Sequence, residues 1–258
     1  MNYKFVDLDQ PPQDVFAFAS KYGDIVLDEI DGVETLSVLG RGNAVRSFSV
    51  ISNPESEEDF LLSSKYACPT LKVNYRLTAK DDYHMRKLVD KLNKTFSRDK
   101  QRLRFYDEAY YYVASLASLE FNELSNCVIA TAEFKTFTPY KYKDIINDGQ
   151  VFRYESTMPA IPDEVVCTVL PGEAEVTSFY FKNEDSEQKM VFTHKVKGGD
   201  VIVWQPCDYF GLTLNGENVM RDVVPSAEFE RFELRFLDRI VCPLKVDMRI
   251  KATLRELG

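Results

Sequence analysis

A chain of 258 residues that is 45% hydrophobic and 28% charged has the composition of a soluble globular protein. It is long enough to bury a sizeable core in one large domain or two ordinary ones. Its formal net charge of −9 argues against a general nucleic-acid coat, because phosphate binding needs a clustered positive surface. The opening residues lack the basic start and apolar run of a signal peptide, and no stretch approaches the roughly 18 apolar residues of a membrane span.

The cysteines are scattered and odd in number, and none belongs to a Cys-x-x-Cys pair. This pattern favours buried free thiols in a protein made in a reducing cytoplasm over a disulfide framework or a zinc site. No metal and no cofactor is predicted.

The first elements in the chain are short strands. Two apolar runs, 25–27 and 35–39, flank Asp31-Gly32, which predicts a hairpin because both turn positions tolerate a positive φ. Alternation at 46–51 and 71–77 predicts two more strands, and the acidic segment 53–59 is interpreted as a solvated loop.

A helix is predicted over residues 82–97. Asp81 and Asp82 can cap its N-terminus and complement the helix dipole. One apolar face follows at helical spacing, made by Met85, Leu88, Val89, Leu92 and Phe96. Period-2 alternation then predicts strands at 102–106 and 128–137, with an aromatic-rich segment at 110–119 between them. The first domain therefore reads as an antiparallel sheet or sandwich with one helix laid across it.

The pattern dissolves between residues 143 and 162, which predicts a domain junction and two domains, 1–143 and 144–258. The second domain is predicted to be a two-sheet β-sandwich. Its predicted strands are 165–170, 175–182, 190–196, 200–204, 210–214, 229–236 and 244–255. Asn215-Gly216 is the strongest hairpin signal, whereas the last strand could close the sandwich or return to the first domain.

Several of these segments resemble a known family. The helix, then LRFYDEAYYYVA at 103–114 and EFKTFTPYKY at 133–142, is similar to the first domain of siphophage distal tail proteins. The strand GGDVIV at 198–203, the TLNG turn at 213–216, FELRF at 232–236 and the final long strand resemble their galectin-like second domain. Two departures are the absence of a Pro-Gly-x-Asn segment before the penultimate strand and of an inserted carbohydrate-binding module.

The resemblance implies a mainly β fold and a structural, non-enzymatic role at the virion tail tip, after assembly in the host cytoplasm. It implies a homohexameric ring that contacts the tail-tube protein, a tail-tip or tail-associated lysin-type protein, and receptor-binding or baseplate proteins. Genomic DNA would only pass through, and no membrane insertion is implied. An early hairpin or extended segment would help to join neighbouring subunits.

Catalytic patterns are weak throughout. His84 and His194 lie far from any Gly-x-Ser-x-Gly turn, and Gly40-Arg41-Gly42 lacks the remaining features of a phosphate loop. Carboxylate pairs at 81/82, 107/108 and 163/164 could serve a glycoside hydrolase, yet all occupy turn-like or capping contexts. No catalytic residue is predicted.

Two features suggest partner contacts. Residues 86–104 are locally basic, and the contact candidates among them are Arg86, Lys87, Lys91, Lys94 and Arg98; the alternative is a solvated helix face. Trp204 and Tyr209 could stack on a sugar, which supports an alternative function as a carbohydrate-binding module for a bacterial surface polysaccharide, although a lone tryptophan is more often core or interface.

Overall fold

A computed structural model describes residues 19–42, 45–52, 59–121, 126–206, 211–224 and 232–258. The fold is mainly β with antiparallel pairing, as the sequence predicts. The chain divides into two compact units. The first runs to Lys141 and includes Leu257 and Gly258, and the second covers Tyr142–Glu256.

The first unit is an antiparallel sheet with one helix and its own core. Its strands, with the helix between the sixth and seventh, are β1 (Ser20–Tyr22), β2 (Ile25–Val26), β3 (Val33–Leu39), β4 (Arg46–Ser52), β5 (Asp59–Tyr66), β6 (Thr70–Thr78), α1 (Asp82–Phe96), β7 (Gln101–Phe105), β8 (Tyr111–Glu120) and β9 (Cys127–Thr136). The sheet order is β2-β1-β7-β8-β9-β6-β3, and β4 and β5 form a separate two-stranded ribbon.

Helix α1 forms and docks as its sequence predicts. The Asp81 side chain accepts a hydrogen bond from the backbone N–H of His84, an N-cap contact of 2.9 Å. Met85, Leu88 and Leu92 are buried against the sheet, in the same core as Leu103 of β7. Burying one such leucine stabilises the fold by roughly 1.5–3 kcal/mol.

The hairpin predicted around Asp31-Gly32 is wrong. Strand β2 pairs with β1, β3 pairs with β6, and a 3-10 turn at Leu27–Glu29 separates them. A polar contact beside the turn holds this path: the Asp28 carboxylate accepts hydrogen bonds from the backbone N–H of Ser20 and from the backbone N–H and hydroxyl of Thr35. Gly32 still adopts a positive φ of 87°.

The second unit is the predicted two-sheet sandwich. Its strands are β10 (Tyr140–Asp148, which begins in the first unit), β11 (Pro162–Val169), β12 (Phe179–Asn183), β13 (Lys189–Phe192), β14 (Val201–Gln205), β15 (Gly211–Leu214), β16 (Glu217–Asn218), β17 (Ile240–Val241) and β18 (Val246–Leu257). The larger sheet runs β16-β15-β14-β11-β18-β10 and the smaller β13-β12-β17. Inward residues of both sheets, such as Val165, Trp204 and Phe181, share one core.

Strand β10 lies where the sequence predicts an irregular junction. Its Ile145 and Asn147 are buried, whereas Ile146 between them is exposed, which is the period-2 pattern of a half-buried strand. The last strand pairs with β11 in the second unit, and Gly258 then donates a backbone hydrogen bond to Pro139 in the first. The last strand therefore closes the sandwich of the second unit, which was one of the two alternatives that the sequence left open.

Two further predictions, one of a turn and one of a strand, have opposite outcomes. Asn215-Gly216 is confirmed as the two-residue turn between β15 and β16, with φ of 53° and 85°. The prediction of a strand at 229–236 is wrong for residues 232–236, the part of that range that the structure describes. These residues contain only an isolated bridge between Leu234 and Ala160. The backbone of Glu233 bonds to side chains and not to a neighbouring strand. The Gln188 side chain accepts a hydrogen bond from the Glu233 N–H, and the Asn183 side chain donates one to the Glu233 carbonyl.

Candidate assembly surface

The ribbon of β4 and β5 is the most exposed apolar feature of the described residues. Among the described strands, β4 and β5 pair only with each other. Their register runs from Arg46 opposite Tyr66 to Ser52 opposite Asp59, with an irregularity after Ser49. An isolated two-stranded hairpin is marginally stable in water, since it buries little apolar surface of its own.

This ribbon displays large apolar side chains on both of its faces. Phe48 is 57% exposed and Leu61 61% exposed, and the exposed apolar side chains that the structure describes in and beside the ribbon are Val45, Phe48, Val50, Ile51, Leu61 and Leu62. Val50 and Ile51, 47% and 53% exposed, are consecutive in the regularly paired part of β4, so they point to opposite faces. Contiguous apolar surface of this kind marks a contact with another molecule more often than a solvated surface.

Contacts between the start of β4 and the end of β5 hold the two strands of the ribbon together at its base. The Arg46 guanidinium lies over the Tyr66 ring at 4.4 Å, and Ala67 donates a backbone hydrogen bond to Val45. We name residues 45–51 and 61–66 the apolar arm.

The sequence signals only part of this arm. Alternation at 46–51 predicts β4, but β5 (DFLLSSKY) has consecutive leucines rather than strict alternation. A pattern that is apolar on both faces predicts a buried strand, so exposure of both faces could not be read from it.

The predicted basic residues divide between two places. Arg86, Lys87, Lys91, Lys94 and Arg98 are all exposed. Helical spacing places Lys87, Lys91 and Lys94 together on one exposed side of α1. We name these three residues the lysine stripe. Lys87 also lies over the Tyr83 ring at 4.4 Å.

Arg86 lies on another exposed side of the helix and Arg98 lies beyond its end. Arg86 lines a groove with Asp82, Asp90 and Phe121. The basic side chains of β7 are elsewhere, because Leu103 and Phe105 face the core that α1 covers and alternation turns Arg102 and Arg104 to the other side of the sheet.

Trp204 is a core residue. Its side chain is fully buried, stacked on Phe181 with ring centroids 5.3 Å apart and edge-on to Phe232 at 5.0 Å. A ring enclosed in this way offers no face to a sugar, so the stacking role considered for Trp204 is incompatible with its burial. Tyr209, the other predicted sugar contact, lies outside the described residues.

The carboxylate pairs are held by cationic and capping partners. Asp107 accepts two hydrogen bonds of 2.8 Å from Arg41, and Glu108 accepts one of 2.7 Å from Lys141. The Gly40-Arg41-Gly42 segment is a turn with positive φ at both glycines, which positions Arg41 for this contact.

The pair at 163/164 is engaged in the same way. Lys251 and then Gln205 hydrogen-bond Glu164 and lower its pKa, and Asp163 accepts from the Thr253 hydroxyl. A general acid for glycoside hydrolysis needs a raised pKa, so Glu164 is poorly suited to that role.

No group of three or more His, Cys, Asp or Glu side chains arranged to hold a metal ion occurs in the part of the chain that the structure describes. Within the same residues, no helix is long and apolar enough to cross a membrane.

No protein-family description matches this sequence, and no curated protein matches it significantly. The fold is nevertheless shared with a phage protein of known structure. The crystal structure of the Dit protein of phage SPP1, described as a paradigm of the hub adsorption apparatus in phages that infect Gram-positive bacteria, superimposes with a TM-score of 0.72 at 15% identity, covering 93% of this chain and 99% of that one.

Two chains from structures of the phage p2 baseplate in its activated conformation align less closely. The one with Sr has a TM-score of 0.49 at 12% identity and the one with Ca 0.47 at 14%, each covering 91% of this chain and 97% of the other. Only the likeness to SPP1 Dit is used to compare folds. At the level of the fold, it confirms the resemblance that the sequence motifs indicate.

Proposed function

We propose that this chain is the distal tail hub of a long-tailed, non-contractile phage or prophage, a structural protein and not an enzyme. The observation that carries the proposal is the apolar arm, because it is a self-paired ribbon with two apolar faces in a chain that has the fold of a phage hub protein. Its exposed apolar surface is stabilised when another molecule covers it.

The proposed occupant of the arm is a neighbouring copy of the same chain in a hexameric ring. A ring is built from heterologous contacts, in which one surface of a subunit meets a different surface of the next. An arm separate from the main sheet suits such a contact, since it can reach across a subunit boundary without disturbing either core. The first unit would form the ring, in keeping with the predicted division at residue 143.

In the tail, the ring would join the tail-tube protein to a tail-tip or lysin-type protein. The second unit would receive receptor-binding or baseplate proteins for host attachment, and genomic DNA would pass through the channel. A net charge of −9 supports passage without adhesion, because an acidic wall does not release counterions from DNA. The hub would be assembled in the host cytoplasm and reside at the virion tail tip.

The test is the solution mass of the full chain by light scattering, for wild type and two matched double variants. Phe48→Ser with Leu61→Ser removes two apolar side chains of the arm, whereas Leu39→Ser with Ile129→Ser removes two equally exposed ones of the main sheet. We expect a hexamer, or two hexamers face to face, for wild type and the sheet variant, and a monomer for the arm variant.

Two results would count against the proposal. A wild-type chain that stays monomeric up to its solubility limit would contradict assembly through the arm. Equal dissociation of both variants would show that exposed apolar surface in general, and not the arm, holds the assembly.

A further inference from the structure

The apolar arm is joined to the main sheet of the first unit by two short segments. The outgoing segment follows β3 and contains Gly40-Arg41-Gly42, and the returning segment leads through Pro69 into β6. Because β3 pairs with β6 and β4 with β5, the arm continues one antiparallel pair beyond an interruption. The contacts of the two connecting segments therefore decide in which direction the arm leaves the sheet.

The backbone of the outgoing segment does not fix that direction by itself. Gly40 and Gly42 have positive φ of 96° and 73°, and glycine is the residue with the widest choice of backbone conformations. A Cβ at Gly40 would lie 2.3 Å from the Thr70 carbonyl oxygen, so the close approach of the two segments requires glycine there. A side-chain contact is therefore needed to hold the segment in one conformation.

Arg41, between the two glycines, supplies this contact with the turn that joins β7 to β8. Its Nη1 and Nη2 atoms each donate a hydrogen bond of 2.8 Å to one carboxylate oxygen of Asp107, which is the fork geometry of a strong charge-assisted pair. The guanidinium also lies over the ring of the fully buried Phe105, 5.0 Å from its centroid. Only 25% and 24% of the Arg41 and Asp107 side chains is exposed, so solvent and salt screen this pair less than a surface pair.

The returning segment is fixed separately at Pro69. The Pro69 carbonyl accepts hydrogen bonds from the backbone N–H of Thr136, at 3.2 Å, and from its hydroxyl, at 2.8 Å. Thr136 is the last residue of β9 in the main sheet. The arm is thus held through both of its connecting segments, and Arg41 provides the hold on the outgoing one.

We propose that Arg41 is a positioning residue for the apolar arm: its fork to Asp107 fixes the direction of the arm and so prepares it for its contact with a neighbouring copy. The consequence for assembly rests on the proposed function, whereas the fixed direction does not. An arm that is already directed loses less conformational freedom on binding. Without the fork only a fraction of the chains would present the arm correctly, and the apparent affinity would fall by that fraction.

The experiment measures the distance between two spin labels in the full chain by pulsed electron paramagnetic resonance. The labels are attached to genetically encoded keto amino acids at Ser63 of the arm and Lys135 of the main sheet, two exposed positions, so the cysteines stay in place. Labelled chains are diluted into an excess of unlabelled chain. The distance then reports the direction of the arm within one chain, whatever the oligomeric state.

We expect a narrow distribution of distances for the wild type. Arg41→Gln and Asp107→Asn should each widen it about twofold or more, because each removes one side of the same contact. The two substitutions together should widen it no further than either alone. Arg41→Lys, which keeps the charge but loses the fork, should give an intermediate width.

The control is Arg76→Gln, which removes another 2.8 Å contact of arginine with a carboxylate, that of Arg76 with Glu34, and should leave the width unchanged. A second pair of labels at Lys94 and Lys135, both outside the arm, should give the same narrow distribution in every variant. This result shows that the first unit remains folded when the fork is removed.

An unchanged distance between Ser63 and Lys135 in both Arg41→Gln and Asp107→Asn would overturn the proposal, and so would equal widening by Arg76→Gln. Light scattering of the same chains tests the consequence for assembly. Arg41→Gln should raise by about tenfold the protein concentration at which half of the assembly dissociates. A widened distribution with an unchanged concentration of dissociation would overturn the link to assembly. A widened distribution in a chain whose wild type is monomeric would support the role of Arg41 and contradict the hub function instead.

Discussion

At the scale of single residues, Asp28 decides the path of the chain through the first unit. Its carboxylate oxygens lie 2.6–2.9 Å from donors of Ser20 and Thr35, which belong to strands β1 and β3. The Ser20 and Thr35 hydroxyls are themselves 2.8 Å apart and buried. One half-buried carboxylate thus ties together two strands that do not pair with each other.

Asp28→Ala should lower the free energy of unfolding by roughly 1–3 kcal/mol, because it leaves buried donors of Ser20 and Thr35 without their acceptor. Urea unfolding followed by circular dichroism measures the loss. Asp24→Ala, a nearby exposed carboxylate, is the control and should change stability by less than about 0.5 kcal/mol. Equal effects of the two substitutions would refute the role given to Asp28.

Trp204 is the single tryptophan, so its fluorescence reports the second unit alone. Because the ring is buried among Phe181 and Phe232, its emission should be blue-shifted and unaffected by bacterial wall polysaccharides. Trp204→Ala should cost about 3–5 kcal/mol of unfolding free energy through the cavity that it leaves. A polysaccharide-dependent change in emission would instead revive the carbohydrate-binding function.

At the scale of elements, α1 and the apolar arm differ in how their apolar residues are used. The helix buries its apolar side against the sheet and turns the lysine stripe to solvent. The arm has no described side chain that is fully buried. The first pattern produces a self-sufficient element, whereas the second leaves surface for another molecule.

The Asp81 cap makes the stability of α1 depend on pH. The hydrogen bond from the His84 backbone N–H, followed by that from its ring, lowers the pKa of Asp81 below its unfolded value. The folded state therefore favours the ionised carboxylate, and this contribution is full above the unfolded pKa and is lost as pH falls through the folded pKa.

The stability difference between wild type and Asp81→Ala should accordingly shrink as pH falls through the acidic range. Thermal unfolding at several pH values gives this difference. Asp81→Asn, which keeps an uncharged capping oxygen, should remain capped at all of them. A difference between wild type and Asp81→Ala that does not vary with pH would contradict an ionised cap.

At the scale of the whole molecule, the lysine stripe stands out against an acidic chain. A positive stripe on one subunit can attract acidic surface on the next. Salt screens such contacts, since the Debye length falls to about 10 Å at 0.1 M ionic strength.

If the stripe contributes to assembly, the solution mass should fall as salt rises, and Lys91→Glu with Lys94→Glu should weaken assembly even at low salt. Light scattering across a salt series tests both expectations. Arg104→Glu with Lys135→Glu makes the same change of charge on exposed positions of the sheet and should leave assembly unchanged. An assembly whose mass is independent of salt would exclude the stripe from the contacts.

Features set by neighbouring residues were predictable from the sequence. The period of α1, its Asp81 cap and the Asn215-Gly216 turn each depend on a few consecutive side chains, so one sequence was enough to identify them. The sandwich of the second unit followed from many short strands separated by turn signals. Among the proposed contact residues, the exposure of the lysine stripe also follows from helical spacing.

Only the tertiary structure decided which segments pair and which side chains are covered. The β2 and β3 segments flank a good turn and still pair elsewhere, because Asp28 and the distant strand β6 offer better partners. Trp204 and Phe48 are both aromatic residues in β-strands, yet the first is enclosed and the second is exposed. Burial depends on what lies opposite a residue in space, and those neighbours come from parts of the chain that no local pattern relates.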